Sequence, residues 1–261
     1  MNKKSNSIVI ILLFLSTLLF YQANAQRDRE QNIGAPKEVK NINTIMKGEV
    51  RSKASGQTVP DADITVKEST TQKVINQTKA NGSGAYEVTF PKGMDIEVKA
   101  QAPEFFYDAF KIKVNTDDTS AAVVHNFLLP SELQLRLNFP TNKYDKPYPY
   151  VLDDDGLETS QTWESAVTSV AEDILKYVAY IQRLIIVGHT DEDGTNQSNM
   201  TLGQNRAEFL KDELQKRGVP ETMIEARSSG EEELLSKRPN EDSKMWKKRC
   251  RRVVLTKEMK K

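Results

Sequence analysis

The sequence predicts two domains, an N-terminal all-β sandwich followed by a C-terminal α/β (α+β) split sandwich with helices packed on one mixed sheet. Three observations predict it. From Thr44 to about Leu129, short segments alternate apolar with polar residues between turn clusters, and no amphipathic helix is needed. After Thr162 the apolar residues recur instead at three- and four-residue steps, in two stretches separated by the strand-like run Arg183-Leu184-Ile185-Ile186-Val187. Between these regimes lies a polar stretch, Pro140 to Ser160, with three prolines and three tyrosines. The expected organisation is residues 1–25 as export signal, 26–43 as flexible leader, 44–130 as β-sandwich and 131–261 as the α/β domain.

The first residues are read apart from the fold. Met1-Asn2-Lys3-Lys4 is basic, Ile8 to Phe20 is almost wholly apolar, and Ala23-Asn24-Ala25 is a small-x-small cleavage signal. The apolar run is shorter than the roughly 20 residues a membrane-spanning helix needs. Without Lys3 and Lys4 the chain carries 35 basic against 37 acidic side chains, so no strong field favours nucleic acid as a partner. Cys250 is the only cysteine and the two histidines lie 64 positions apart, which argues against a disulfide, a structural zinc site or any metal cofactor. Lipid attachment at a cysteine directly after the signal is likewise excluded.

In the sandwich, strands are expected at Lys47–Val50, Ala62–Val66, Lys73–Lys79, Ala85–Phe90, Asp95–Ala100, Ala109–Val114 and Val123–Leu129, with turns at Asn81-Gly82-Ser83-Gly84 and Pro91-Lys92-Gly93. Tyr86 and Phe90 read as core residues. Phe105-Phe106-Tyr107 reads as packing at a strand edge or domain junction, with an exposed contact patch as the other option.

In the second domain, Glu132 to Phe139 alternates and reads as the first strand. Thr162 to Ile181 reads as a helix carrying the stripe Val167, Val170, Ala171, Ile174, Leu175, Val178 and Ile181. A second helix is expected over about Leu202 to Arg217, stopped by Gly218 as a left-handed cap. Strands are expected at Met223–Ser228 and Arg252–Thr256. Asp153-Asp154-Asp155-Gly156 lacks the spacing of a calcium loop and reads as a solvated acidic turn. From Lys237 to Arg252 there are eight basic and two acidic side chains, read as a solvated helix and strand edge or a weak surface for an anionic polymer. Cys250 reads as a semi-buried strand residue. Trp163 is expected to close the first helix on the sheet, and Trp246, set among lysines, to be a possible contact to a glycan.

The chemistry concentrates in Gly188 to Arg206, a polar loop between a buried strand and a helix. No Gly-x-Ser-x-Gly elbow or phosphate loop occurs, and His189 is the sole general base beside Asp191 and Asp193, so a catalytic reading has little support. Asp191 and Arg206 offer opposite charges. They either pair with each other to hold the loop, or receive a ligand bearing both an ammonium and a carboxylate.

Two resemblances bear on these readings. Gly48-Glu49-Val50, Gly56-Gln57-Thr58-Val59-Pro60-Asp61-Ala62 and Gly84-Ala85-Tyr86 leading to Pro91-Lys92-Gly93 resemble the carboxypeptidase regulatory-like, transthyretin-like sandwich family, over residues 46–115. That resemblance implies a structural or adhesive module. Ile186-Val187-Gly188-His189-Thr190-Asp191, then Gly194, Asn199, Leu202, Arg206-Ala207, Leu210, Leu214 and Gly218-Val219, with Gly230-Glu231 and Arg251-Arg252-Val253, resemble the peptidoglycan-binding domain of the OmpA, Pal and MotB family. Departures fall at Cys250, where the family usually has asparagine, and at Val254, where it has an acidic residue.

The second resemblance implies that Asp191 and Arg206 bind the diaminopimelate residue of the peptidoglycan stem peptide. It implies supporting positions at Thr190, Asn199 and Leu202, and a flanking role for Arg251 or Arg252. It further implies a non-enzymatic periplasmic protein. With neither lipid attachment nor barrel, its link to the outer membrane, or to a secretion or gliding complex of the kind found in Bacteroidota, would run through a protein partner of the sandwich. The competing expectation is a structural or adhesin-associated subunit that has kept the fold and lost the ligand.

Overall fold

The structure, a computed structural model, describes residues 42–119, 122–137, 139–140 and 142–261. The export signal and nearly all of the expected leader lie outside the described residues. Among the described residues no helix is long and apolar enough to cross a membrane.

The first half is all β. Strands β1 (Asn43–Ser52), β2 (Asp63–Glu68), β3 (Val74–Lys79), β4 (Ala85–Pro91), β5 (Asp95–Gln101) and β6 (Asp108–Lys113) are followed by two short pieces, β7 (Val123–Val124) and β8 (Phe127–Leu129). They form two sheets. One has the order β4-β1-β7 with β8 also on β1, and the other the order β3-β2-β5-β6. The period-2 pattern is the cause: Tyr86, Val88 and Phe90 of β4 point inward against Met46, Ile64, Val66, Val98 and Phe127, all buried, while the alternate residues face out. The expected last strand, Val123 to Leu129, is broken into two because His125 and Asn126 leave the ladder between them.

The second half is a mixed sheet of order β13-β12-β14-β9, made of β9 (Glu132–Leu135), β12 (Ile181–His189), β13 (Ile224–Gly230) and β14 (Val253–Met259). Strand β13 runs parallel to β12; the other neighbours are antiparallel. Helices α1 (Trp163–Lys176) and α2 (Asn196–Lys216) complete the domain with a third, α3 (Ser243–Cys250). Ala166, Val167, Val170 and Ile174 of α1 meet Leu184, Ile186, Val253 and Leu255 of the sheet and Leu210 and Leu214 of α2 in one core.

Several expected boundaries move. Helix α1 stops at Lys176 rather than Ile181, because Tyr177 leaves helical geometry and Ile181 opens β12. Helix α2 starts at Asn196 rather than Leu202, where the Thr195 hydroxyl caps it by accepting from the Ser198 N–H at 3.2 Å. At its other end Gly218, at φ +94°, forms the expected cap: its N–H reaches the Gln215 carbonyl and the Val219 N–H reaches that of Leu214, a Schellman motif. The polar stretch after Pro140, for which no strand was expected, holds a hairpin, β10 (Tyr150–Leu152) with β11 (Glu158–Thr162), whose turn is the acidic cluster. That turn is not merely solvated, since Asp154 pairs with Arg136 at 2.6 Å and Asp155 with Arg238. Cys250 is the last residue of α3 and fully buried, not a semi-buried strand residue.

Phe105-Phe106-Tyr107 proves to be junction, not exposed patch. Phe105 packs on the sandwich core, whereas Phe106, fully buried, and Tyr107 join the core of the second half. Beside them a polar contact ties the halves. Lys257 of β14 meets Asp173 of α1 at 2.7 Å with both side chains 0 % exposed, Gln101 of β5 donates to the other Asp173 oxygen at 2.9 Å, and Lys257 also donates to the Phe105 carbonyl at 2.7 Å. The Tyr177 hydroxyl donates to Asp63 at 2.6 Å across the same seam.

A buried ion pair is costly to break from one side, because the partner stays charged in a dry place. Asp173→Ala is therefore expected to cost about 3–5 kcal/mol in urea unfolding, and the pair of changes Asp173→Leu with Lys257→Met to recover most of that loss.

Candidate functional site

The site forms where the end of β12 meets the first turns of α2. Gly188 and Gly203 touch there: a methyl group on Gly203 would sit 2.7 Å from the Gly188 carbonyl oxygen. Only glycine allows strand and helix this close. Three residues beyond each glycine stand Asp191 and Arg206, so the contact sets their separation.

The loop from Thr190 to Thr195 is short and tied at several points. The Thr190 N–H donates to the Gly230 carbonyl at 2.8 Å, and its hydroxyl to the Asp191 carbonyl at 2.9 Å. Asn199, on the first turn of α2, donates from its amide to Glu231 at 2.5 Å and weakly to the Asp191 carbonyl at 3.4 Å. Thr190 and Asn199 are both buried, and Leu202 is half-buried on the turn before Arg206.

Asp191 and Arg206 do not pair with each other. The Asp191 carboxylate is met by Arg251, at the corner between α3 and β14. Arg206 is only 2 % exposed, and no carboxylate lies within ion-pair distance of it among the described residues. Among the described residues its guanidinium donates only to main-chain carbonyls, those of Lys143 at 3.4 and 3.5 Å and of His189 at 3.5 Å, and it lies 5.2 Å from the Phe139 ring centroid. These are long hydrogen bonds for a charged donor. Burial, with the nearby Arg251 adding to it and Asp191 only partly opposing, brings its pKa down to about 10.

Arg252 goes elsewhere. It donates to the Cys250 and Glu233 carbonyls at 3.2 and 3.1 Å and has Arg136, not Asp191, among its charged neighbours. The indole N–H of Trp246 is satisfied by the Leu235 carbonyl at 2.6 Å, and Trp163 packs on the core of the second half with its ring tilted against Phe209 of α2. His189 is buried beside Arg252, and desolvation followed by that charge lowers its pKa to about 4. Its ring is neutral near pH 7; among the described residues Nδ1 has no hydrogen-bond partner, the nearest carboxylate being that of Glu233 at 4.0 Å. Two groups escaped the sequence reading, Phe139 under the guanidinium and the Lys143 carbonyl on it. Phe139 carries a signal, as the last apolar position of the alternating run after Glu132; a backbone carbonyl carries none. Among the described residues no group of His, Cys, Asp and Glu is arranged to hold a metal ion.

Comparison with known proteins finds similarity over part of the C-terminal half. The OmpA family model matches residues 154–247. The peptidoglycan-associated lipoprotein of Pseudomonas aeruginosa is 40 % identical over 76 residues, 29 % of this chain and 44 % of that protein. The protein of the same name from Buchnera aphidicola is 38 % identical over 74 residues, 28 % of this chain and 42 % of that protein. The chain thus spans less than half the length of these relatives. Among solved structures, the peptidoglycan-associated lipoprotein of Burkholderia pseudomallei is 28 % identical, covering 42 % of this chain and 87 % of that one, with a TM-score of 0.33. The C-terminal half thus matches the OmpA family model over residues 154–247 and is similar there to part of these lipoproteins.

Two outcomes are expected. Gly203→Ala, which in an open helix would gain about 0.5–1 kcal/mol, is expected to destabilise by about 1–3 kcal/mol in thermal or urea unfolding, because its methyl meets backbone. His189 takes up its proton more readily unfolded than folded. Its contribution to stability is therefore complete above pH 6.5 and is lost as the pH falls toward 4, by roughly 3 kcal/mol. Urea titrations across that window should show the slope, and His189→Gln should flatten it.

Proposed function

We propose that the C-terminal domain binds peptidoglycan non-covalently, holding the diaminopimelate residue of the stem peptide between Asp191 and Arg206. The observation that carries this reading is the state of Arg206. A guanidinium taken out of water and left with three long bonds to neutral carbonyls is poorly compensated, and a carboxylate accepting two parallel N–H bonds would correct that. Asp191, on the adjoining loop, supplies the acceptor for the ammonium. Thr190 and Asn199 fix the loop and Leu202 walls it, while Arg252 braces the chain around Glu233 rather than the ligand. The name of the related lipoproteins supports the same substrate.

In this reading the protein works in the periplasm as a tether that positions an envelope assembly, and it performs no catalysis on the wall. The sandwich contacts the protein partner, an outer-membrane component or a secretion or gliding complex. It does so as a docked extension of the wall-binding domain, because the contacts Gln101–Asp173, Lys257 to the Phe105 carbonyl and Tyr177–Asp63 hold the two halves together.

A second reading, a structural subunit that no longer binds the wall, is favoured by one observation. Both charged groups are already answered from within the chain, Asp191 by Arg251 and Arg206 by carbonyls, and both are buried.

Retention on purified sacculi separates the two. Wild type is expected to bind saturably and release no fragments, and Asp191→Ala and Arg206→Ala each to lose at least tenfold in affinity, about 1.4 kcal/mol. Retention unchanged in the folded double variant would establish the second reading; soluble muropeptides would refute both.

A further inference from the structure

A cleft of about 680 Å³, a usual size for a binding cleft, opens along the seam between the two halves and shares no residue with the site around Arg206. Its apolar surface comes from both cores. Val59 and Ala102 belong to the sandwich core and Phe105 packs on it, while Met259 packs on the second core. Tyr180, in the turn between α1 and β12, lines the same cleft and is 59 % exposed. A ring left so open beside an apolar floor gains by being covered.

The wall made by Met259, Lys260 and Lys261 indicates what covers it. Strand β9 pairs with β14 only from Val253 to Thr256, so beyond Thr256 the outer edge of β14 carries no strand among the described residues. The Lys260 N–H turns inward, to the Tyr180 carbonyl at 2.9 Å. Hydrogen-bonding direction alternates along a strand, so the N–H and carbonyl of Met259 turn outward. An unpaired edge is a template for an extended chain. A second copy of this edge is a poor occupant, because it would set lysine against lysine with Glu104 as the one side-chain carboxylate among the lining residues.

Resting on the reading that the sandwich contacts a protein partner, we infer that this cleft is the docking site, and that the partner adds an extended peptide strand to the outer edge of β14. Its backbone pairs with Met259, and one apolar side chain of the strand fills the cleft beside Tyr180. Because the occupant touches both halves, the partner grips the docked pair and not the sandwich alone.

The test selects phage-displayed random peptides on the full chain and measures the best synthetic peptide by calorimetry, with melting curves to confirm folding of each variant. The peptide is expected to carry an apolar anchor residue, and Tyr180→Ser to weaken it by about tenfold. Methylating its backbone nitrogens one at a time is expected to remove binding at alternate positions only, the signature of strand pairing. If Tyr180→Ser does not fold, Thr58→Arg, on the sandwich side of the cleft, is read for the same loss. Selected peptides that bind the cleft variant as well as wild type put the partner contact elsewhere and overturn the inference. So does a selection that yields no binder, or a methylation series without the alternation. Retention on sacculi is measured on the same samples and should be unchanged in Tyr180→Ser. A failure of the wall-binding reading therefore shows in wild type, whatever the peptide does.

Discussion

Contact between two glycines, one on the strand and one on the helix, is the constraint from which the site follows. Gly188 and Gly203 let β12 and α2 approach until backbone meets backbone, with Ser228 of β13 closing the third side and donating to the Gly188 carbonyl at 3.4 Å. Everything polar nearby takes its place from that approach. Arg206 is one helical turn beyond Gly203 and passes under the end of β12, where it reaches the His189 carbonyl. Asp191 emerges from the same strand end. A larger residue at either glycine would lift the helix, and with it the guanidinium, off the loop.

A second constraint works near the start of β12, where Lys257 of β14 lies opposite Leu184. The Lys257–Asp173 pair is dry on both sides, and burial alone would strip the Lys257 ammonium of its proton more easily were Asp173 not opposing it. Gln101 and the Phe105 carbonyl complete the shell from the sandwich. A hydrophobic seam would hold two domains together in many orientations; a shell of directed hydrogen bonds accepts few. The sandwich is thus set against α1 and β14 by side chains that also join the second core, and Phe106 belongs to that core although it lies between strands β5 and β6 of the sandwich.

Much of this was legible in the sequence because periodicity reports burial, and burial dominates the fold. The sandwich strands, the stripe of α1 and the Gly218 cap follow from it. The start of α2 did not, for a physical reason. Its first two turns bury Asn199 and Gly203 rather than large apolar side chains, so a reading by hydrophobic spacing begins the helix at Leu202. The Tyr150–Thr162 hairpin was hidden similarly: its strands are short, follow prolines, and owe their place to Arg136 meeting Asp154 eighteen positions on. Asp191 and Arg206 were legible as residue types in a recurring pattern. Their partners were not, since Arg251 is sixty positions from Asp191 and Lys143 acts through its backbone.

Those hidden partners explain how a site can be both built and closed. Removing an unmatched guanidinium from water costs several kcal/mol, and carbonyls at 3.4 to 3.5 Å return only part of it. The fold tolerates this because the aromatic face of Phe139 and the two carbonyls share the charge, and because Asp191 lies near enough to oppose Arg251. A carboxylate in place of those weak acceptors would relieve that cost without ordering a loose loop. In a site built this way a gain in affinity would come from the difference between two compensated states rather than from the area covered.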